Sequence, residues 1–169
     1  MKKTMVILSI LITVIISNKE YKKIEIPKES IRIRVIANSN KLEDQLTKLK
    51  VKENITNNLY KKLENVKNIE EARITINNNI KELDNIVHNT LNNKNYKINY
   101  GTNYFPKKEL KGIEYKEGNY ESLVINIGES KGNNWWCVLF PPLCMIETEY
   151  TGKNDVEYKS KVLEILNNY

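Results

Sequence analysis

The period of the hydrophobic residues changes along this chain near Tyr96, and that change limits the folds it can adopt. Before Tyr96, leucine and isoleucine recur every three or four residues, which is the spacing of one face of an α-helix. After Tyr96, apolar and polar residues alternate, which is typical of a β-strand with one buried face. The chain therefore predicts both helices and a sheet.

Two amphipathic helices are predicted between Asn40 and Leu91. Asn40, with Glu43 three residues later, has the form of an N-cap with a reciprocal partner, so the first helix is expected to start there. The two apolar stripes, separated by a break over residues 64–68, are Leu42, Leu46, Leu49, Ile55, Leu59 and Leu63, then Ile69, Ala72, Ile76, Ile80, Leu83, Val87 and Leu91. Such a pair forms an antiparallel hairpin whose stripes need a further surface to cover them.

The remaining apolar segments predict strands over residues 30–37, 96–101, 120–128 and 135–140. A polar turn over residues 129–134 joins the last two as antiparallel neighbours, and Pro141-Pro142 ends the final strand. Residues 156–166 predict a short helix. The expected fold class is α+β: an antiparallel sheet packed against an antiparallel helix pair, with a short C-terminal helix.

The N-terminus has the plan of an export signal. Lys2-Lys3 precedes a 12-residue apolar run over residues 5–16, which is too short for an ordinary membrane span. A signal peptidase site after Ser17 would prefer a small residue at position 15, where this chain has the large Ile15. The leader is therefore either cleaved or kept as a membrane anchor. We expect a signal peptide or anchor at 1–17, a linker at 18–27 and one domain at 28–169.

Charge and motif content exclude several classes of function. The formal charge of +6 is modest and partly due to the leader, and no Lys/Arg block is interleaved with aromatics, so nucleic acid is not an expected partner. An anionic membrane surface remains a candidate partner for a chain of this mild positive charge. His88 is the single histidine, and no HExxH or GxSxG pattern occurs. We therefore expect no enzyme activity, no metal and no cofactor.

The segment from Asn133 to Cys144 holds both tryptophans, both cysteines and half of the prolines. Such a concentration indicates either the centre of the core or the centre of a binding site. Along the strand, either Trp135 and Phe140 or Trp136 and Val138 face the core while the other pair faces outward. The candidate partner-binding residues are Asn134, Trp135, Trp136, Phe140, Pro141 and Pro142, together with Arg32 and Arg34.

Two interpretations of Cys137 and Cys144 are open. In an exported protein, the Pro141-Pro142 turn between them could bring the sulfurs together as a disulfide. The alternative is a pair of buried thiols that act as small hydrophobic side chains.

Three groups of residues in this chain resemble the stage II sporulation protein R family. They are Ile31-Arg32-Ile33-Arg34-Val35-Ile36-Ala37-Asn38-Ser39-Asn40 with Glu43-Asp44-Gln45, then Phe105-Pro106-Lys107 with Gly112, and finally Gly118-Asn119-Tyr120-Glu121 through to Asn134-Trp135-Trp136-Cys137-Val138-Leu139-Phe140-Pro141-Pro142-Leu143-Cys144. The sequence departs from the family at Lys116-Glu117, where Pro-Ala is usual, and at Lys52-Glu53, where Arg-Asp is usual.

The resemblance implies a secreted signalling protein of endospore-forming bacteria. Such a protein is exported across the forespore membrane into the space between the two membranes of the sporulating cell. There it activates a membrane-bound aspartic protease that processes the sigma-E precursor. Two alternatives stay open from the residues alone: a cell-envelope enzyme, and a structural envelope-binding module.

Overall fold

The computed structural model describes residues 24–149 and 154–169; the predicted leader and residues 18–23 lie outside the described part of the chain. Its strands are β1 (Ile24–Glu25), β2 (Ile31–Ile36), β3 (Tyr96–Phe105), β4 (Lys108–Leu110), β5 (Ile113–Tyr115), β6 (Gly118–Ile127) and β7 (Asn134–Phe140). Its helices are α1 (Leu42–Leu63), α2 (Ile69–Leu91), α3 (Leu143–Glu149) and α4 (Asp155–Leu166). The predicted α+β class, helix pair and C-terminal helix are confirmed.

A four-stranded sheet in the order β3-β6-β2-β7 forms the middle of the domain. β2 runs parallel to β6 and antiparallel to β7, so the sheet is mixed rather than wholly antiparallel. The prediction that β6 and β7 are direct neighbours is wrong, because β2 lies between them. β2 suits a central position because Ile31, Ile33 and Val35 are fully buried on its helix side.

The helix pair α1 and α2 covers one face of this sheet. α2 matches its prediction at both ends, with the side chain of Asn68 accepting a hydrogen bond from the Glu71 amide at its start. The predicted Asn40 cap of α1 is wrong: α1 begins at Leu42 without a side-chain cap. The side-chain oxygen of Asn40 instead accepts from the backbone amide of Asn133 at 2.7 Å, which ties the start of α1 to the start of β7.

The first half of the predicted α1 stripe does not face the core. Leu42, Leu46 and Leu49 are 75%, 51% and 47% exposed, whereas the buried residues of α1 are Lys48, Val51, Ile55, Leu59 and Leu63. The step of six residues from Leu49 to Ile55 explains the error, because it rotates the side-chain direction by about 240°. The apolar stripe therefore changes face within the helix.

A second layer covers part of the opposite face of the sheet. It consists of a three-stranded sheet in the order β1-β5-β4, together with α3 and α4. Ile24 and Ile26, which belong to the predicted linker, are buried in this layer. α3, β4 and β5 were not predicted. Within residues 24–149 and 154–169, no helix has the length and apolar character needed to cross a membrane.

Candidate functional site: a buried arginine cluster and an exposed apolar strip

Both faces of β7 are covered, so neither pair of its alternating residues points wholly outward. Trp136 and Val138 pack into the second layer, while Trp135 packs against the helix-side core. Trp136 and Phe140 are only 6% and 3% exposed. In this structure they cannot contact a partner directly, and Trp135 is the half-buried aromatic of the segment.

The remaining residues of the predicted binding segment differ in exposure. Asn134 is exposed at the start of β7, Pro141 is buried and Pro142 is half-buried. Phe140 lies in the helix-side core, with its ring centre 4.9 Å from that of the C-terminal Tyr169. The structure therefore leaves the two ends of the segment accessible and encloses its middle.

Arg32 and Trp136, both predicted from the sequence, meet in one cluster beneath the second layer. The guanidinium carbon of Arg32 lies 3.3 Å from the ring centre of Tyr120, 5.0 Å from that of Trp136 and 5.1 Å from that of Phe105. Tyr115 packs edge-on against Trp136 at 5.4 Å. Stacking a guanidinium on aromatic faces offsets part of the cost of removing it from water. Phe105, Tyr115 and Tyr120 were not assigned to this site from the sequence.

Arg32 is fully buried, and no carboxylate pairs with it within the part of the chain that the structure describes. One guanidinium nitrogen donates a long hydrogen bond to the carbonyl oxygen of Lys116, at 3.5 Å, while Nε and Nη1 have no hydrogen-bond partner. Burial lowers the pKa of Arg32, and the neighbouring Tyr120 and Tyr115 rings oppose that shift. Arg32 is thus a residue of the core and not a surface contact.

Arg34 lies at the edge of the same cluster and is half-buried. Its guanidinium lies 4.0 Å from the Phe105 ring centre and donates a hydrogen bond to the carbonyl oxygen of Tyr104. Burial lowers the pKa of Arg34. Because part of its surface is open, Arg34 remains able to contact another molecule, as the sequence predicted for both arginines.

Three exposed leucines form an apolar ridge on α1. Leu42, Leu46 and Leu49 are spaced by four and three residues, so they share one face of the helix. Lys48, next to Leu49, donates a hydrogen bond from Nζ to the carbonyl oxygen of Asn133 at 3.2 Å. The Nζ of Lys52 lies 5.0 Å from the Trp135 ring centre. Lys48 and Lys52, rather than the leucines themselves, thus join α1 to the start of β7.

The ridge continues along α1 to the Pro-Pro turn. Thr56 and Tyr60, seven and eleven residues after Leu49, line a cavity of about 20 Å³ together with Leu139, Pro142 and Met145. We group the exposed leucines of α1 with the two accessible apolar residues at the ends of the β7 segment and call the group the α1–β7 strip; its residues are Leu42, Leu46, Leu49, Trp135 and Pro142. The leucine spacing of α1 predicts a buried stripe, whereas the structure exposes Leu42, Leu46 and Leu49.

The two cysteines are thiols rather than the disulfide considered from the sequence. Both are buried against the helix-side core. Their sulfur atoms approach the carbonyl oxygen of Val138, at 3.6 Å for Cys137 and 3.0 Å for Cys144. The structure therefore has the alternative arrangement, in which both act as small buried side chains.

The titratable residues of the described chain form no metal site. In residues 24–149 and 154–169, no group of three or more His, Cys, Asp or Glu side chains could hold a metal ion. His88 is exposed on α2, with its ring centre 6.4 Å from that of Tyr96.

Comparison with known proteins identifies the family of the chain. Residues 27–150 match the family model of stage II sporulation protein R. The chain is 33% identical over 132 residues to the stage II sporulation protein R of Bacillus subtilis strain 168, an alignment covering 76% of this chain and 59% of that relative. No solved structure matches the chain. On this evidence, the chain belongs to the stage II sporulation protein R family.

Proposed function

We propose that the protein is an exported sporulation signal that activates a membrane-bound aspartic protease, which then processes the sigma-E precursor. Family membership supports a role in sporulation. The export signal predicted at residues 1–17 supports delivery across the forespore membrane into the intermembrane space, with the protein anchored there if the leader is kept. The chain spans 59% of the length of the curated relative it matches, and the protease partner is part of this proposal.

The observation that carries the proposal is the α1–β7 strip. Three large apolar side chains on one helix face are about half exposed or more, although the same helix buries four other apolar residues. Apolar side chains exposed together on one helix face mark interaction sites more often than scattered ones do. The half-buried indole of Trp135 adds an aromatic anchor of the kind that dominates binding energy. The strip is therefore the proposed contact with the protease.

A ligand of this kind acts by favouring the active state of its partner. The size of the shift towards the active state is limited by the difference between the ligand's affinities for the active and the inactive state. The sheet and α2 hold α1 in place, so the strip is a preformed surface that loses little conformational entropy on binding.

The activation step is tested by supplying the protein from outside. Purified protein lacking residues 1–17 is added to cells or vesicles that carry the protease and its sigma-factor precursor, and precursor cleavage is followed by immunoblotting. The proposal predicts cleavage that depends on the added protein and is lost with Trp135→Ala while the circular dichroism spectrum is unchanged. A correctly folded protein that produces no cleavage would refute activation.

A further inference from the structure

We infer that the open part of the second sheet face binds an acidic segment of a protein partner. This part consists of two rows of side chains that cross all four strands beyond the edge of the second layer. The outer row is Lys97, Asn126, Ile36 and Asn134, and the inner row is Asn99, Val124, Arg34 and Trp136. We call these eight residues the basic rows. They lie on the opposite sheet face from Trp135 and are distinct from the α1–β7 strip.

Strand register fixes the rows. Lys97 pairs with Asn126, Asn126 with Ile36, and Ile36 with Asn134. In the same way Asn99, Val124, Arg34 and Trp136 are successive partners. Side chains two residues apart on a strand share a face, so both rows lie on the face that carries Arg32.

Six of the eight row residues are at least partly accessible to another molecule. Lys97, Asn99 and Asn134 are exposed, and Asn126, Ile36 and Arg34 are half-buried. The inner row is largely covered: Val124 and Trp136 are buried, and the Arg34 guanidinium lies 4.0 Å from the Phe105 ring centre. At its β7 end the Nζ of Lys108 lies 4.7 Å from the Trp136 ring centre. The outer row and Asn99 are therefore the open part of this band of sheet surface.

The charge of this band is of one sign. Lys97 and Arg34 belong to the rows and Lys108 lies above them, whereas none of the eight row residues is a carboxylate. In the described part of the chain, the side-chain amides of Asn99, Asn126 and Asn134 make no hydrogen bond. The band thus offers cations for carboxylates and amides for a peptide backbone.

The dimensions and composition favour a short peptide over other anions. Four strands spaced about 4.8 Å apart give a row about 14 Å long, which is the length of about four extended residues. A glycan would favour an exposed aromatic face, but Trp136 is buried beneath Lys108. A lipid surface would need exposed apolar side chains, and the rows supply only half-buried Ile36 and buried Val124.

The test measures binding alone, so its result does not depend on the activator proposal. The full chain is titrated into a dye-labelled hexaglutamate peptide, with hexaglutamine as the neutral probe. We expect binding of hexaglutamate that weakens as salt rises, and at least a tenfold loss of affinity for Lys97→Glu. Lys81→Glu, an exposed position on α2 with the same change of charge, serves as the matched control and should lose less than threefold.

Three results would overturn the inference. Equal losses for Lys97→Glu and Lys81→Glu would indicate attraction by net charge alone. Equal binding of hexaglutamine would remove the role of the cations. If Lys97→Glu abolished binding to phosphatidylglycerol vesicles and left peptide binding unchanged, the basic rows would be a membrane contact instead.

Discussion

The guanidinium carbon of Arg32 lies 3.3 Å from the centre of the Tyr120 ring, inside the core. This pairing joins the neighbouring strands β2 and β6, on the sheet face under the second layer, without a carboxylate. From the sequence, Arg32 is a candidate partner-binding residue on a predicted strand. The second layer covers the arginine face at Arg32, and aromatic rings replace water there.

Replacing Arg32 with methionine should leave the free energy of unfolding unchanged or raise it by about 1 kcal/mol. A buried, unpaired cation is costly, and well-packed apolar side chains often replace buried charges without loss. Urea unfolding measures the effect. Arg32→Ala is the control for lost volume and should cost at least about 2 kcal/mol. A cost above about 3 kcal/mol for Arg32→Met would show that the cation itself stabilises the cluster.

Gly132→Ala should destabilise the protein by about 1–3 kcal/mol, the usual cost of forcing atoms into a packed site. A Cβ at Gly132 would lie 2.3 Å from the carbonyl oxygen of Ser39, and that oxygen is part of the backbone. The Gly132 amide also donates to the carbonyl oxygen of Ala37 at 2.9 Å, which fixes the loop in place. Thermal unfolding monitored by circular dichroism measures the loss.

Gly101→Ala is the matched comparison for that substitution. The nearest atom to a Cβ at Gly101 is 3.8 Å away, in the flexible side chain of Asn99. This variant should remain within about 1 kcal/mol of the natural protein. Equal losses for the two glycines would contradict the close approach of Gly132 to Ser39.

Acid should weaken the loop that precedes α1, through Asp44. Hydrogen bonds from Ser39 at 2.6 Å and Asn38 at 2.9 Å lower the pKa of the Asp44 carboxyl. The folded state therefore binds the proton less readily than the unfolded chain, whose Asp pKa is about 3.9. The stabilisation is complete above that pH and is lost as pH falls through the lower folded pKa.

An NMR titration of the side-chain carboxyl carbons measures this pKa. Ser39→Ala should raise the pKa of Asp44 towards the unfolded value, because it removes the hydroxyl whose hydrogen bond contributes most to lowering that pKa. Ser160→Ala, in α4, should leave it unchanged. An Asp44 pKa that does not move in Ser39→Ala would show that this hydrogen bond does not hold the carboxylate.

The elements that could be predicted from sequence are those whose pattern is local. The stripe of α2 steps by three and four residues throughout, and both of its ends are where the sequence placed them. The α1 stripe contains the six-residue step after Leu49. The apolar residues before and after that step therefore lie on different faces of the helix, although they form one series in the sequence. The position of β2 between β6 and β7 depends on pairing between distant segments, which local periodicity does not encode.

The candidate site shows the same division. The clustering of Trp135 and Trp136 was visible in the sequence, and alternation correctly placed them on opposite faces of β7. That both faces are covered follows from the second layer, whose short strands β4 and β5 carry too few residues for a period to be recognised.

Precursor cleavage by strip variants tests the central claim most directly. The protein, the protease and the sigma-E precursor are produced together, and the cleaved fraction is measured for Leu46→Ser/Leu49→Ser and for the control Ile74→Ser. Ile74 is 60% exposed on α2, so the control removes a comparable exposed apolar side chain. We predict at least a tenfold loss of cleavage for the strip variant, because contact anchors are typically worth about 2 kcal/mol, and little change for Ile74→Ser. Full cleavage by a folded strip variant would contradict the account.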